Sequence, residues 1–143
     1  MDSAFLETEY QSDNELVATV PASTFAVTGT HRVAVFRRCV PTQWSNEWTL
    51  TVVNPRPGRF MLEPTSVGRE SSRQLTLTGS QFVAPATVLL DRLDGMAIPT
   101  TFVSASRLDF VLPESVGAGD YVVYVQNPGP GGGVGPGEWL HVE

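Results

Sequence analysis

The 143-residue sequence contains no lysine, one cysteine (Cys39) and two histidines. A single cysteine excludes an internal disulfide, so packing alone must hold the chain together. A zinc site needs several ligands at suitable spacing, and no such cluster of cysteine and histidine is present. The net charge of −6 argues against a general phosphate-binding surface, which needs clustered cations. We therefore expect no metal site, no cofactor and no nucleic-acid partner.

Long apolar runs are also missing. No stretch approaches the roughly 18 consecutive apolar residues of a membrane-spanning helix, so no membrane span is expected. The first residues, Met1–Glu7, lack the basic and apolar regions of a signal peptide. If the protein is exported, its signal has been removed or lies upstream of this sequence.

Helical patterns are nearly absent, whereas apolar residues alternate with a period of two. Gly, Pro, Asn and Ser interrupt this alternation about every eight to twelve residues, which is typical of an antiparallel sandwich. The sequence therefore predicts an all-β fold.

The sequence also repeats part of itself. Subtraction of matched positions gives an offset of 92 for the first matched stretch (100 − 8) and of 90 for the two that follow (119 − 29 and 140 − 50). A repeat of this length predicts two small domains in series. The matched stretches are residues 8–23 with 100–115, 29–35 with 119–125, and 50–52 with 140–142.

The two copies differ in completeness, because Pro55–Arg92 has no counterpart in the first copy. We therefore predict that residues 1–54 are the C-terminal part of a first domain and that residues 55–143 are a complete second domain. The predicted strands of the second domain are Arg59–Glu63, Gln74–Thr78, Thr87–Arg92, Ile98–Val103, Arg107–Leu112, Asp120–Gln126 and Glu138–Val142.

The alternation predicts which side chains form the core. His31 aligns with Tyr121, so we expect it to be packed and hydrogen-bonded, whereas His141 should face outward. Trp48 is in phase with Leu50 and is assigned to the core. The other predicted inward residues are Leu16, Ala18, Val20, Val33, Val35 and Val52 in the first copy, and Leu75, Leu77, Leu108, Phe110, Leu112, Tyr121, Val123, Val125, Leu140 and Val142 in the second.

Three motifs of the second copy occur together in a known family. They are Thr-Gly-x-x-Phe at the end of Leu75–Phe82, a Ser-x-x-x-Leu strand that ends at Pro113, and the Asn-Pro-x-Pro-Gly-Gly-Gly hairpin Asn127–Gly133. With these motifs the second copy resembles the IPT/TIG family of immunoglobulin-like domains. The first copy resembles it only from its middle onward, and Arg37–Asn46 replaces the glycine-rich hairpin.

The resemblance implies tandem immunoglobulin-like β-sandwiches, the first of which lacks its N-terminal strands. Bacterial members similar to this chain occur as tandem arrays in exported or surface proteins, often beside enzymatic or carbohydrate-binding modules. The family has no shared catalytic residues, so the resemblance implies none here.

Two tryptophans, Trp44 and Trp139, are candidate partner-binding residues. Trp44 lies in the hairpin of the first copy, and Trp139 is out of phase with Leu140 and should face outward. Exposed tryptophan can stack on sugars or anchor a protein partner.

We predict no catalytic residue and no cofactor-binding residue. No nucleophile-elbow motif is present, and the glycine-rich stretch Gly129–Gly137 lacks the Lys-Ser/Thr ending of a phosphate-binding loop.

These observations favour a non-catalytic structural and interaction module of a bacterial surface or secreted multidomain protein. Its partners would be proteins or the neighbouring domains of a longer chain. One alternative is a carbohydrate-binding accessory domain of a glycoside-active enzyme. Another is a dimerisation domain of a nucleic-acid-binding protein, which the acidic balance disfavours.

The incomplete first copy leads to an expectation of its own. Without front strands, inward residues such as Leu16, Val33 and Leu50 would lie on an uncovered sheet, which is costly and prone to association. We therefore expect either that upstream residues complete this domain or that another chain supplies the covering strands, as in a homo-oligomer formed by strand complementation.

Overall fold

The computed structural model describes residues 4–91 and 96–143 and divides the chain into two compact units, Met1–Val52 and Val53–Glu143. Strands dominate both units, which confirms the predicted all-β fold. The helical structure within the described ranges is one short 3-10 helix, Ala22–Ala26.

Within the described residues there are six strands in the first unit and ten in the second, numbered in chain order. Those of the first unit are β1 (Glu7–Ser12), β2 (Glu15–Thr19), β3 (Gly29–Val33), β4 (Phe36–Arg37), β5 (Gln43–Trp44) and β6 (Trp48–Val52). Those of the second unit are β7 (Met61–Glu63), β8 (Ser66–Val67), β9 (Gln74–Thr78), β10 (Thr87–Leu90), β11 (Ala97–Ile98), β12 (Thr100–Ser104), β13 (Arg107–Val111), β14 (Gly119–Asn127), β15 (Gly133–Val134) and β16 (Glu138–Val142).

The second unit is a β-sandwich. One sheet has the strand order β11-β10-β14-β16-β8, with β15 also paired to β14, and the other has the order β12-β13-β9-β7. Neighbouring strands are antiparallel except β8, which runs parallel to β16. The alternating side chains of both sheets meet between them and form a continuous apolar core.

The core of the second unit agrees with the prediction from alternation. All the inward residues predicted there are buried except Tyr121, which is half-buried, packs against the core and donates a hydrogen bond from Oη to the Gly117 carbonyl (3.1 Å). The front strands of this unit, β7 to β11, contribute Leu62, Val67, Leu75, Leu77, Val88, Leu90 and Ile98.

The predicted strand Ile98–Val103 is wrong as a single element. It consists of β11 and β12, which belong to different sheets and are separated by Pro99. Proline has no N–H to donate to a ladder, so pairing stops there and the chain crosses from one sheet to the other. The two-residue strands β8 and β15 were not predicted. The last residue of the predicted strand Thr87–Arg92 lies outside the described residues.

One buried polar side chain, that of Asn127, joins three segments of the second unit. Its Nδ2 donates to the carbonyls of Pro55 (2.8 Å) and Gln81 (2.7 Å), and its Oδ1 accepts from the Val83 amide (3.0 Å). Burial of an amide requires such partners. The side chain thus ties the entry of the unit to the loop after β9.

The first unit consists of three two-stranded pairings, β1 with β2, β3 with β6, and β4 with β5. Among residues 4–52 no side chain is fully buried. The predicted inward residues Leu16, Ala18, Val33 and Val35 are exposed, because this unit contains too few strands to cover them. His31, Val20, Leu50 and Val52 are half-buried.

The β1–β2 hairpin has the same register as the β12–β13 hairpin. Thr8 lies opposite Ala18, and Thr100 lies opposite Phe110, so both positions are related by 92 residues (100 − 8 and 110 − 18). The register irregularity also recurs at the same place, between Tyr10 and Ser12 and between Phe102 and Ser104.

The later strands of the two units share register with an offset of 90. Gly29 lies opposite Val52, and Gly119 lies opposite Val142 (119 − 29 and 142 − 52). Both glycines are the first residue of a strand and have positive φ, +144° and +152°, which glycine adopts without a Cβ clash. The short β4–β5 pairing corresponds in the same way to that of β14 with β15. The first unit therefore repeats the strand pairing of β12 to β16.

Candidate functional site

The most distinctive surface of the first unit is an aromatic cluster formed by Phe5, Phe36 and Trp44. The β4–β5 pairing sets Phe36 opposite Trp44, with ring centroids 5.1 Å apart and ring planes at 32°. The ring centroid of Phe5 lies 5.3 Å from that of Phe36, and the Arg38 guanidinium is 5.8 Å from the centroid of the Phe36 ring. Both distances suit aromatic and cation–π contacts.

The cluster is open to solvent. Trp44 is 65% exposed and Phe5 71% exposed, while Phe36 is half-buried. Rigid aromatic rings that remain exposed can stack on a sugar or anchor a protein partner at low cost in side-chain entropy. Such a group has binding capacity but supplies no acid, base or nucleophile.

The two predicted site residues lie in different units. Trp44 belongs to the aromatic cluster, whereas Trp139 lies on β16 of the second unit and is 68% exposed. The predicted outward orientation of Trp139 is confirmed, Trp44 is exposed in its hairpin, and the role of both in binding a partner stays a prediction.

Sequence reasoning missed two members of the aromatic cluster. Phe36 aligns with Gln126 in the second copy, so an aromatic ring stands where the other copy has an exposed polar side chain. This replacement of glutamine by phenylalanine was the feature of the sequence that could have identified Phe36. Phe5 had no such signal, because it precedes the matched stretches and reaches the cluster only through the fold.

The prediction that Trp48 lies in the core is wrong. Trp48 is 74% exposed, although it is in phase with half-buried Leu50 on β6. The phase of a strand tells which face a side chain takes, but not whether a second sheet covers that face.

His31 also differs from expectation. It is half-buried, and its Nε2 is buried without a hydrogen-bond partner among the described residues. In the second unit the matching residue, Tyr121, reaches the Gly117 carbonyl with its hydroxyl. The imidazole of His31 is shorter than the phenol ring of Tyr121. His31 therefore occupies the equivalent position without making the equivalent hydrogen bond.

An Asp-His pair lies on the outer surface of the second unit. Asp120 Oδ1 and His141 Nδ1 are 2.6 Å apart across β14 and β16, and the parallel pairing of β8 places Ser66 beside His141. These are the residue types of a nucleophilic triad. In the part of the chain described, however, no hydrogen bond joins Ser66 to His141, and all three side chains are exposed. Because these three side chains are exposed, the arrangement lacks the shelter from water that an acyl-transfer site provides.

The outer face of the β12-β13-β9-β7 sheet carries a group of hydrogen-bonded polar side chains centred on Asp109. Arg107 donates to its two carboxylate oxygens from Nε (3.0 Å) and Nη2 (3.1 Å), and Thr76 donates from the neighbouring strand (2.9 Å). Hydrogen bonds from Arg107, opposed by partial burial and assisted by Thr76, hold the pKa of Asp109 below its ordinary value. Asp109 lines a shallow groove of about 370 Å³ together with Gln74, Thr100, Thr101 and Val111.

This lowered pKa predicts acid sensitivity. A depressed folded-state pKa stabilises the fold above the unfolded-state value, about 3.9, and that contribution is lost as the pH falls through the folded-state pKa. We expect Asp109→Asn and Arg107→Gln to lose less of their urea midpoint between about pH 6 and about pH 3 than the unaltered protein loses. The effect should be modest because Arg107 is half exposed and solvent screens the pair. Equal losses in all three proteins would contradict it.

The glycine-rich loop between β14 and β15 folds back on the start of the second unit. The Asn54 amide donates to the Pro130 carbonyl (2.8 Å), and the Gly132 amide donates to the Asn54 carbonyl (2.7 Å). A side chain at Gly132 would lie 2.3 Å from the Pro128 carbonyl oxygen, and φ there is +63°. The glycines thus serve close backbone packing, in agreement with the prediction of a hairpin rather than a phosphate-binding loop.

No group of three or more His, Cys, Asp or Glu side chains that could hold a metal ion occurs within residues 4–91 and 96–143. Over the same ranges, no helix has the length and apolar character needed to cross a membrane. Compared with known protein families and with curated protein sequences, the chain has no significant match.

Proposed function

We propose that the chain is a non-catalytic, immunoglobulin-like structural and interaction module, similar to IPT/TIG domains, of a bacterial surface or secreted multidomain protein. The observation that carries this proposal is the shared strand register of the two units. Repetition of one sandwich plan along a chain is how extended modular proteins are built, and neither copy needs a catalytic centre for that purpose.

The start of the second unit supports a spacer role. Asn54 Nδ2 donates to the Pro128 carbonyl (2.9 Å), the Arg56 guanidinium donates to the Val134 carbonyl (3.1 Å), and the Gly58 amide donates to the Ser80 carbonyl (3.0 Å). These bonds, with Pro55 and Pro57, make Asn54–Gly58 part of the sandwich rather than a free linker. A stiff connection of this kind would transmit a mechanical force along the chain directly into the sandwich.

A second candidate function is carbohydrate binding, and the aromatic cluster favours it. Three rings at contact distance with two of them exposed form a surface on which a sugar ring can lie. Among the described residues, the charged group found over a ring of the cluster is the Arg38 guanidinium, whereas a sugar site uses several convergent polar groups. For this reason the structural module remains the first proposal.

One set of experiments separates these functions. The structural module predicts no hydrolytic turnover on ester, peptide and glycoside substrates, and no retardation in affinity gels that contain polysaccharides. Turnover that is lost in His141→Ala but kept in His31→Ala would overturn the non-catalytic proposal. Retardation that is lost in Trp44→Ala but kept in Trp139→Ala would establish carbohydrate binding at the aromatic cluster instead.

A further inference from the structure

We propose that the outer face of the β11-β10-β14-β16-β8 sheet binds an arginine side chain of a partner protein, in a site centred on Val122. Two carboxylates and two aromatic rings surround this valine, and they belong to Asp91, Asp120, Tyr124 and Trp139. We call these five residues the Val122 site. The inference deepens the proposed function by naming the chemistry of its partner, and it rests on that function only in treating the protein as an interaction module.

Strand pairing fixes the arrangement of the Val122 site. Trp139 on β16 lies opposite Val122 on β14, so their side chains are neighbours about 5 Å apart. On the other side of Val122, the Asp91 amide donates to the Val122 carbonyl (2.7 Å), and Asp91 Oδ1 accepts from the Val122 amide (3.3 Å). Asp120 and Tyr124 lie two positions before and after Val122 on the same strand, about 7 Å along it and on the same face.

The apolar part of the site is held in place by its own packing. A Cβ added at Gly137 would lie 2.5 Å from Val122 Cγ1 and 2.7 Å from Tyr124 Cε1, so both side chains rest directly on the backbone of Gly137. Leu89 lies opposite Tyr124 on β10 and is buried, which supports the tyrosine from that side. Trp139 is 68% exposed. The site therefore offers a preformed floor beside an open indole ring, and little side-chain entropy is lost on binding.

The charges of this face favour a cation. Among the described residues, none of the six strands of the sheet contains an arginine, and the chain has no lysine. Asp91 and Asp120 are exposed, and each uses Oδ1 for a contact, with the Val122 amide and with His141 Nδ1 respectively. The second oxygen of each carboxylate makes no hydrogen bond within the part of the chain described, and it can accept one. A donor can thus bind both carboxylates without displacing an existing partner.

The combination of rings and carboxylates selects arginine among cationic side chains. A guanidinium is planar, so it can stack on the Trp139 ring while its N–H groups point outward in its own plane toward the carboxylates. A lysine ammonium is a compact point charge and lacks this stacking face. An apolar side chain would bury carboxylates without pairing them, and an anion would be repelled.

A partner protein is a better source of this arginine than a second copy of the chain. Arg32 and Arg107 are already paired with carboxylates, and Arg38 lies over an aromatic ring. Arg56 and Arg73 donate to backbone carbonyls of the second unit. In addition, the net charge of −6 makes two copies repel each other, whereas it attracts a basic partner.

The test titrates the isotope-labelled full chain with a nine-residue peptide that carries arginine at three alternate positions among glycine and serine. Backbone amide and indole N–H resonances report binding. We expect saturable shifts at the Val122 site, with a Kd of about 1 mM or tighter. The matched ligand is the same peptide with citrulline in place of arginine, which keeps the shape and removes the charge. It should bind about tenfold more weakly or less.

Two pairs of variants locate the binding. Trp139→Ala should weaken binding of the arginine peptide about fivefold or more, whereas Trp48→Ala, at an equally exposed tryptophan of the first unit, should leave it unchanged. Asp91→Asn and Asp120→Asn should each weaken it about threefold, and asparagine tolerates the positive φ of Asp91 (+64°). Their control is Glu63→Gln, an exposed carboxylate on the other sheet.

Three results would overturn the proposal. The first is equal affinity for the arginine and citrulline peptides. The second is equal weakening by Glu63→Gln and Asp120→Asn, since net charge rather than a site would then attract the peptide. The third is self-association of the unaltered chain that Trp139→Ala abolishes, because a second copy would then supply the arginine. None of these measurements involves turnover, so the arginine site and the non-catalytic function can fail separately.

Discussion

Replacement of Asn127 with aspartate is expected to lower the free energy of unfolding of the second unit by about 3 kcal/mol or more. The buried Nδ2 donates to the carbonyls of Pro55 and Gln81 at 2.8 and 2.7 Å. A carboxylate has no hydrogen to donate, so it would face two carbonyl oxygens and be buried with an unpaired charge. The Val83 amide would be the one donor left to it.

The matched control is Gln126→Glu, the neighbouring change from amide to carboxylate at an exposed position. It should shift the urea midpoint very little, since a solvated charge carries no desolvation cost. Equal destabilisation by Asn127→Asp and Gln126→Glu would mean that net charge, rather than the lost hydrogen bonds, weakens the fold.

The second large effect is a difference between two equivalent leucines. Leu108→Ala removes a fully buried side chain from the core and should destabilise the second unit by about 2–5 kcal/mol. Leu16→Ala makes the same change at the same register position of the first unit, where the side chain is 44% exposed. It should cost less than about 1 kcal/mol, because little burial is lost and no enclosed cavity forms.

Chemical denaturation of both variants, with exchange readout for each unit, measures this difference. Comparable costs for the two leucines would show that Leu16 is covered in solution. That result would contradict the open state of the first unit.

The parts of the fold that were predictable from the sequence are those set by local alternation. Leucines two residues apart, as on β9, identify both a strand and its inward face. The offsets of 92 and 90 residues, read from the sequence, also relate the observed strand pairs. The sheet change at Pro99 was not predicted, because strand-forming residues lie on both sides of the proline while the hydrogen-bonding partner changes there.

The candidate site was predictable in part. The exposure of Trp44 follows from its place in a hairpin, and Phe36 lies opposite it in the same hairpin. Phe5, however, comes from a separate segment that only the fold brings to the cluster. Trp48 could not be predicted correctly for a different reason. Its phase on β6 is that of an inward face, but residues 4–52 contain no strands that cover this face, so the side chain is exposed. Asn127 had a motif but no sign of its three partners, which are distant in sequence.

The change of offset from 92 to 90 occurs in one connection. Nine residues (20–28) join β2 to β3, whereas seven (112–118) join β13 to β14, and the pairing on either side is the same in both units. The extra length is taken up by the 3-10 helix Ala22–Ala26. This crossover between the sheets therefore tolerates insertion, and it offers a place to graft a label or a binding loop without altering either sheet.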